Sequence, residues 1–383
     1  MIFKKSFSAE SPDNEKYSFP LLVISLVLTA AILFVLFGHV GSSNSTTGTD
    51  AAIMDKFDQF VTNNILAELG DKLDVERTYW LNDNDMVAPE PNADRYGKTD
   101  DAASLQWLLD DAAKLLQGQR TLFTTETPIK AGTSVEYYLD DTIFAVTWKQ
   151  VVNNCTYTFS EVKIAHPSQF RRFLSNGQYG SGVLHTTSEM AASVNAVVAS
   201  AGDYYSYRPG GLVINNGTVH RSIGFNSLDT CYINHEGDLL FTRRGELTTL
   251  SELEQFVEDN NVRFSLCFGP LMLLDGENYV PAYYSLGEIN EIYPRAALCQ
   301  MDKLHYVVVT ANMEEPNYNR PTVAGFAQHL LDLGIPTAYT LDGGQTATIV
   351  MNDRVINTVS YGAEREISDI IYFATAIPSG QAE

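Results

Sequence analysis

Two segments of the sequence place glycines directly beside an aspartate, with aromatic or hydroxyl residues close behind. They are Gly202-Asp203-Tyr204-Tyr205, and Asp342-Gly343-Gly344 with Thr346 two residues further on. Because glycine lacks a side chain, the backbone amides of such turns can approach a bound ligand closely beside the carboxylate. Taken alone, each segment is more typical of a tight turn than of a ligand site.

The sequence lacks the motifs of the common enzyme classes. It contains no H-E-x-x-H, no G-x-S-x-G, no P-loop and no dinucleotide-binding glycine fingerprint. The histidines are scattered, and Asp83-Asn84-Asp85 lacks the glycine and glutamate of a calcium loop, so we interpret it as a turn. No cofactor is required by these patterns; a divalent metal is permitted, since carboxylates and phosphates both attract one.

The order of several short motifs resembles the phosphodiester glycosidase family. That family includes the catalytic domain of the mammalian "uncovering enzyme", which removes N-acetylglucosamine from a phosphodiester, and bacterial relatives often described as exopolysaccharide biosynthesis proteins. The likeness spans about residues 133–376. Its motifs are Thr187–Ala191, Ala201–Tyr205, Gly211–Gly217, Pro294–Ala297, Leu341–Gly344, Val355–Asn357 and Arg365–Asp369.

The sequence departs from this family pattern in two places. Ala201 stands where the family has an asparagine, and Gln345–Thr348 replaces a run rich in glycine and serine. If the asparagine helps to orient the substrate, an alanine cannot supply its amide. The resemblance therefore predicts the fold more firmly than the reaction.

The resemblance implies hydrolysis of a sugar–phosphate bond at the anomeric carbon. The departing phosphate monoester is a good leaving group, so the site needs a cation for the phosphate and a carboxylate to support the sugar cation or to activate water. We predict Asp342 as this base or nucleophile, with Asp203 second. Arg295 and Arg208 are the predicted phosphate ligands, because guanidinium matches phosphate oxygens in pairs. Tyr204 and Tyr205 are predicted to stack on the sugar face. The other predicted substrate contacts are Gly202, Gly343, Gly344 and Thr346.

Three functional hypotheses follow from these residues. The first is a hydrolase of glycosyl-1-phosphodiesters, resembling N-acetylglucosamine-1-phosphodiester, in envelope or host glycans. The second is a non-catalytic binder of a phosphoglycan or envelope polymer on the same fold, motivated by Ala201 and the altered loop after Asp342. The third is a structural envelope protein that uses helices between residues 53 and 117.

These motifs must be positioned by strands and helices. Their predicted order indicates an α+β fold with a mixed sheet core and flanking helices. Runs rich in β-branched and aromatic residues predict strands at Ser134–Leu139, Ile143–Val151, Thr156–Ala165, Gly211–Ile214, Leu239–Thr242, Tyr306–Thr310 and Thr346–Met351. Helices are predicted at Pro167–Leu174, Ser188–Ala199, Leu250–Asp259 and Thr322–Leu333.

A helical accessory segment is predicted before this core, over residues 53–132, and the glycosidase-like domain over residues 133–383. The first helix of the accessory segment is predicted at Ile53–Leu73. The second carries an apolar stripe from Leu105 to Leu116, with Asp100 or Asp101 as the N-cap and Gly118 as the stop.

The run Phe19–Gly38 contains 20 residues without a charge, enough to cross ~30 Å of hydrocarbon as a helix. We predict a transmembrane signal anchor over residues 19–40, followed by a polar linker over residues 41–52. Lys4, Lys5 and Lys16 precede the run, so residues 1–18 are predicted to stay cytoplasmic and the C-terminal domain to lie outside the cytoplasm. A cleaved signal peptide is the alternative.

The composition restricts the partners. Lys and Arg total 25 against 47 Asp and Glu, for a formal charge of −22, which excludes the basic footprint of a nucleic-acid-binding protein. Cys155, Cys231, Cys267 and Cys299 allow three disulfide pairings in an exported domain, and buried free thiols are an open alternative.

Overall fold

A computed structural model describes residues 80–127, 134–312 and 320–378. The predicted anchor, the linker and the helix Ile53–Leu73 lie outside these residues. Within them, no helix is both long and apolar enough to cross a bilayer. Residues Thr78–Glu383 form one compact unit.

The largest sheet has nine strands, and all its described neighbours pair antiparallel. Their spatial order is β1 (Tyr96–Thr99), β2 (Val135–Leu139), β3 (Ile143–Val152), β4 (Cys155–Ile164), β15 (His305–Asn312), β14 (Arg295–Asp302), β16 (Thr337–Leu341), β12 (Leu271–Leu274) and β13 (Glu277–Asn278).

A second sheet has five strands, and two small sheets complete the β-structure of the described residues. The five strands are, in spatial order, β18 (Arg354–Val355), β17 (Ile349–Met351), β6 (Val198–Ala201), β19 (Asp369–Phe373) and β5 (Phe170–Leu174). The small sheets are β10 (Leu239–Thr242), β9 (Thr230–Asn234) and β11 (Val262–Leu266), and the hairpin of β7 (Val213–Asn215) and β8 (Thr218–Arg221).

All the described helices except the shortest begin at a side-chain cap of the kind that the sequence predicts. They are α1 (Ala102–Asp111), α2 (Ala113–Leu116), α3 (Thr187–Ser193), α4 (Leu250–Asp259) and α5 (Val323–Asp332). Asp101 accepts a hydrogen bond from the Ser104 amide at the start of α1, and Thr322 accepts one from Gly325 at the start of α5. These caps confirm the predicted starts of the two helices.

Both faces of the large sheet are buried, which explains its nearly continuous apolar strands. In β15, Val307 and Val309 join a core shared with α1 and α5, whereas Val308 joins a core shared with the five-stranded sheet. This alternation follows from the two-residue period of a strand. The outer face of the five-stranded sheet packs on α3, where Met190 and Ala199 meet. The layers are therefore helices, large sheet, smaller sheet and helix.

The α+β class is confirmed, but two predicted helices and the mixed pairing are not. Residues Pro167–Leu174 form a 3-10 turn and then β5, and the predicted helix Ser188–Ala199 ends at Ser193, before β6. Strand β5, and strand β6, which contains the end of the second segment, form because each pairs with β19 in the interior, and tertiary pairing overrides local propensity. Every described strand pair in the large and the five-stranded sheets is antiparallel, where we expected mixed pairing.

The described part of the predicted accessory segment packs on the large sheet. Strand β1 pairs with β2, and Leu108 of α1 lies in the same core as β3, β4 and β15. The buried carboxylate of Glu161 in β4 accepts hydrogen bonds from the amides of Leu122 and Phe123. Residues 80–127 thus belong to the same unit as the sheets, because their apolar stripe has no other core to join.

All of the cysteines are buried free thiols. Cys267 directly follows β11, and Cys299 lies in β14. Burial raises the pKa of the Cys267 thiol. The thiols act as small apolar side chains here.

Candidate active site

The loop that begins with Asp342 follows the end of β16 and packs tightly against the start of β14. The Gly344 amide donates to the Pro294 carbonyl at 3.0 Å, and Gly344 has φ +67°. A Cβ on Gly343 would lie 2.3 Å from that same carbonyl oxygen. Thr346, which is buried, donates to the Gly343 carbonyl at 2.8 Å. The two glycines therefore permit a close approach of the two backbones, which fixes Asp342 just after the end of β16.

The Asp342 carboxylate is partly enclosed and ion-paired. Its Oδ1 accepts a hydrogen bond from the Gly343 amide at 3.0 Å, and its Oδ2 lies 2.5 Å from Nη2 of Arg365. Burial raises the pKa of Asp342 to about 6, although Arg365 acts in the opposite direction. The side chain is 15% exposed. A carboxyl group with this pKa can exchange protons near neutral pH.

Arg365 joins the two segments that the sequence singles out. Its guanidinium lies 4.9 Å from the centre of the Tyr207 ring and 5.6 Å from that of Tyr204, while it pairs with Asp342. The Tyr204 and Tyr207 rings stack with centres 5.2 Å apart. Arg365 is 33% exposed, and its buried Nε has no hydrogen-bond partner in the described part of the chain.

The sequence analysis does not predict Arg365 as a site residue, although Arg365 opens the motif Arg365–Asp369. One signal was available: the chain has few cations for its size, so an arginine inside a family motif is informative. The sequence does not show that Arg365 contacts Asp342, which lies 23 residues earlier in the chain.

Asp203 lies in a buried ion network instead of facing a cleft. Its side chain is fully buried: Oδ1 accepts from Arg208 at 2.8 Å and Oδ2 from the Cys267 amide at 2.9 Å. The Asp203 amide donates to Asp369, which pairs with Arg172 at 2.8 Å. Neither oxygen is open to a substrate, so the structure gives Asp203 a positioning role and not the catalytic role expected of it.

Gly202 and Asp369 explain why this turn needs a glycine. A Cβ at Gly202 would lie 2.3 Å from Oδ2 of Asp369. Burial raises the pKa of Asp369 to about 6, while its neighbour Arg172 lowers it. Gly202 therefore makes room for a buried carboxylate, and its predicted contact with substrate stays a prediction.

Arg208 retains one group that could bind an anion. Its Nη2 pairs with Asp203 and its Nε donates to the Gly210 carbonyl, but the buried Nη1 has no partner among the described residues. The side chain is 11% exposed. Because this nitrogen is buried, a phosphate can reach it only if the surrounding side chains move.

Arg295, the other predicted phosphate ligand, is occupied by backbone carbonyls. Its guanidinium donates to Gly287, Glu288 and Glu291, and its Nε donates to Pro321 at 3.3 Å. Burial lowers the pKa of Arg295 to about 10. Its backbone lies beside the Asp342 loop, but its charged group faces away into a neighbouring loop. The structure therefore gives Arg295 the role of holding that loop in place.

The two tyrosines after Asp203 have different surroundings. Tyr205 is buried, stacks on Tyr179 at 5.4 Å and donates to the Ser368 carbonyl, so it is a packing residue and not the sugar contact expected. Tyr204 is partly exposed, and its ring meets Tyr207 and the edge of Phe268. Only Tyr204 of this pair borders the Asp342 site.

Two buried asparagines hold the chain after the Asp342 loop. The Asn357 side chain donates to the Ala347 carbonyl at 2.7 Å and accepts from the Ile349 amide at 2.7 Å. Asn312 donates to the same Ala347 carbonyl and accepts from Asn357. In residues 80–127, 134–312 and 320–378, no group of three or more metal-binding side chains is placed to hold an ion.

Together, the fold and the site define a sheet-rich α+β domain with one carboxylate–guanidinium pair at a strand end, bordered by stacked tyrosines. Residues 190–374 match the sequence profile of the phosphodiester glycosidase family. The resemblance predicted from the sequence is thereby confirmed for residues 190–374, which are similar to the phosphodiester glycosidase family.

One solved structure with a TM-score above 0.5 extends this match to the fold. The catalytic domain of zebrafish N-acetylglucosamine-1-phosphodiester alpha-N-acetylglucosaminidase, auto-inhibited by its pro-peptide, superposes with a TM-score of 0.52 at 17% identity. The match covers 61% of this chain and 84% of that one. A hypothetical protein from Synechocystis gives a TM-score of 0.49 at 13% identity, over 61% of this chain and 62% of that one.

A curated relative is similar over part of its length. The SPbeta prophage-derived uncharacterized protein YomE of Bacillus subtilis (strain 168) is 21% identical over 257 residues, which is 65% of this chain. The chain spans only 38% of the length of that relative.

Proposed function

We propose that the protein hydrolyses glycosyl-1-phosphodiester bonds, resembling N-acetylglucosamine-1-phosphodiester, in envelope or host glycans. The observation that carries the proposal is the pair of Asp342 and Arg365 beside Tyr204, within residues that match the phosphodiester glycosidase family. A carboxylate for the sugar and a guanidinium for the phosphate are the two groups that this reaction needs.

In the proposed reaction Asp342 acts at the anomeric carbon. Arg365 binds the phosphate, which is the role that the sequence predicts for Arg295. The bond between the anomeric carbon and the phosphate oxygen breaks, and its electrons leave with the phosphate monoester. Water supplies the new oxygen, either with Asp342 taking its proton as a base or after Asp342 has first attacked as a nucleophile. Inversion of the anomeric centre would identify the base, and retention the nucleophile.

Substrate binding would also change the state of Asp342. Arg365 pairs with Asp342 in this structure and lowers the pKa of that carboxyl group. A phosphate that draws the guanidinium toward itself would weaken this pair, and the carboxylate would become more basic beside the sugar. Arg208 is the second phosphate ligand in this proposal, and its unpartnered Nη1, which is buried in this structure, must become accessible when substrate binds.

The test is release of free sugar from a synthetic N-acetylglucosamine-1-phosphodiester. We expect Asp342→Asn and Arg365→Gln each to reduce kcat/KM at least about a hundredfold. Arg354→Gln is the matched control, because Arg354 is an exposed arginine that pairs with Glu136 on the surface. No turnover by the wild type, or equal turnover by Asp342→Asn, would reject the proposal.

One observation favours the alternative of a non-catalytic phosphoglycan binder. Asp342 is already neutralised by Arg365, and Ala201 offers no amide to a substrate. For a binder we expect measurable affinity for the phosphodiester without cleavage, lost in Arg365→Gln. Isothermal titration with product analysis of the same samples separates the two functions.

We also propose that residues 19–40 anchor the chain in the cell membrane with the glycosidase domain outside the cytoplasm. The support is the uncharged run Phe19–Gly38 and the lysines before it. Protease treatment of intact cells should remove the domain, and its protection until the membrane is opened would reject this orientation.

A further inference from the structure

A polar cavity lies beside strand β5, and none of the residues that line it belongs to the Asp342 site. The cavity encloses about 410 Å³, including the solvent at its mouth. Its charged lining residues are Arg171, Arg172, Arg263 and Asp83. Positive side chains therefore outnumber negative ones here, in a chain of formal charge −22. We call this space the β5 cavity.

Strand β5 turns one row of backbone groups toward the cavity, because it is an edge strand of the five-stranded sheet. Its register with β19 is regular. The Ser175 amide donates to the Ser368 carbonyl at one end, and the Gln169 carbonyl accepts an amide at the other end. Every second residue thus bonds toward β19, so the amides of Arg172 and Leu174 point away from it. Both residues line the cavity, which gives the cavity two N–H donors from the sheet edge.

Arg171 adds a buried positive charge to the lining without a nearby counter-charge. The residue is 5% exposed. Among the described residues, its guanidinium donates only to neutral groups, which include the Tyr372 hydroxyl at 3.0 Å and the Asp85 carbonyl at 2.6 Å. A buried cation without a counter-charge is costly. An anion in the cavity would balance this charge.

The other two arginines of the lining are paired with carboxylates. Arg172 pairs with Asp369, and Arg263 pairs with Asp83. Burial lowers the pKa of Arg263; Asp83 acts in the opposite direction, and Arg171 lowers it further. The charge of Arg171 is therefore felt across the cavity lining, which lies in a positive field.

The turn between β7 and β8 forms the exposed side of the cavity. Asn216 is exposed, and its Nδ2 donates to the Asp83 carbonyl at 3.0 Å. Its neighbour Asn215 also lines the cavity. A substitution of Asn216 can therefore change the charge of the lining without removing a buried side chain.

We propose that the β5 cavity binds a phosphate group, either as inorganic phosphate or as a small phosphate monoester. Backbone amides at a sheet edge form concave anion sites. The edge amides, the arginines and the asparagine turn surround the space from different sides, which suits tetrahedral phosphate oxygens better than a planar carboxylate. The inference goes beyond the proposed reaction, since it uses neither Asp342 nor Arg365.

The experiment is an isothermal titration of the Arg365→Gln protein, in which the Asp342 site has lost its proposed phosphate ligand. The probes are inorganic phosphate, glucose 6-phosphate as a monoester, and acetate as a carboxylate. We expect at least one phosphate probe to bind more tightly than acetate. Binding of inorganic phosphate alone would identify the free ion as the ligand, whereas equal or tighter binding of glucose 6-phosphate would identify a monoester.

Asn216→Asp, added to the same protein, places a negative charge on the lining and should raise Kd for phosphate at least about tenfold. Asn154→Asp is the matched control. Both asparagines are exposed turn residues with a positive φ, +46° for Asn216 and +61° for Asn154, and aspartate tolerates this conformation. The control should leave Kd unchanged, because Asn154 lies in the turn between β3 and β4 and does not line the cavity.

Arg171→Gln should abolish phosphate binding, and its thermal midpoint in phosphate-free buffer shows whether this variant is folded. If it is not, Asn216→Asp decides the test. The inference would be overturned if neither phosphate probe binds, if acetate binds as tightly, if Asn216→Asp and Asn154→Asp have equal Kd, or if folded Arg171→Gln binds like its parent. Binding in Arg365→Gln needs no turnover, so loss of the proposed reaction would leave this result unaffected.

Discussion

Asp203 and Asp342 each follow a buried strand and precede a turn, yet their carboxylates have opposite surroundings. Asp203 makes hydrogen bonds through both oxygens to Arg208 and to the Cys267 amide, with no exposed surface. Asp342 keeps a partly exposed carboxylate beside a partly exposed Arg365. A group that reacts must reach its substrate, so at this scale exposure separates the two roles.

The pH dependence of sugar release should report on Asp342. A base or nucleophile works only when ionised, and burial raises the pKa of Asp342 to about 6. We therefore expect kcat/KM to fall as the pH drops through about 6. Arg365→Gln removes the nearby cation that lowers this pKa, so the residual activity should decline at a higher pH. An acid limb near pH 4 in the wild type would contradict this assignment.

The buried network predicts that Asp203→Asn acts on stability. The neutral amide would leave Arg208 without a balancing charge in the interior, whereas Arg172 would keep its pair with Asp369; we expect a cost of about 3–5 kcal/mol in the free energy of unfolding. Asp342→Asn leaves a partly exposed arginine, so its cost should stay below about 1 kcal/mol. Urea denaturation at pH 7 compares the two variants; equal midpoints would contradict the separation of roles.

At the scale of elements, the site is made where a strand of each main sheet ends. Asp342 follows β16 of the large sheet, and Tyr204 comes after β6 of the smaller sheet, with Arg365 between them. Arg295 begins β14 but contributes through the stretch that its guanidinium holds. The strand ends fix the backbone, and the loops supply the chemistry.

The close packing of the Asp342 loop predicts that Gly343→Ala mainly affects catalysis. The added Cβ would meet the Pro294 carbonyl at 2.3 Å, so the loop must shift. Displacing a reacting group by about 1 Å can reduce the rate about a hundredfold. Gly325→Ala is the control, because Gly325 lies in α5 and the nearest atom to its added Cβ is 3.4 Å away. Steady-state sugar release measures both, and unchanged activity in Gly343→Ala would contradict the expected shift.

At the scale of the whole molecule, the unit that folds is larger than the family profile. The profile covers residues 190–374, whereas the compact unit spans Thr78–Glu383. The sheet strands β1 to β4 precede the profile and supply one side of the shared cores.

Truncation should show where the domain begins. Residues 78–383 should be soluble and unfold cooperatively. Residues 133–383, the boundary predicted from the sequence, would lose β1 and α1, expose the core face that Leu108 covers, and leave buried Glu161 without its amide donors. We expect this shorter chain to aggregate or to unfold at least about 10 °C lower. Equal thermal midpoints of residues 78–383 and residues 133–383 by calorimetry would support the domain boundary at residue 133 that the sequence predicts.

The sequence by itself determined the resemblance to the family over residues 190–374, the α+β class, most of the central strands and the starts of α1 and α5. Those features depend on local pattern: the run of β3 is long and rich in β-branched residues, and Thr322 caps its own helix. The sequence also identified Asp342 and its glycines as candidates, because that motif is short and continuous.

Tertiary structure decided which charged residues border a site and which hold the interior together. Arg295 and Asp203 looked available because a sequence does not show that carbonyls of Gly287 and Glu291, or the amide of Cys267, will surround them. The same holds for Phe170–Leu174, which became a strand only because β19 lies beside it. Burial and pairing arise between distant segments, so local pattern cannot specify them.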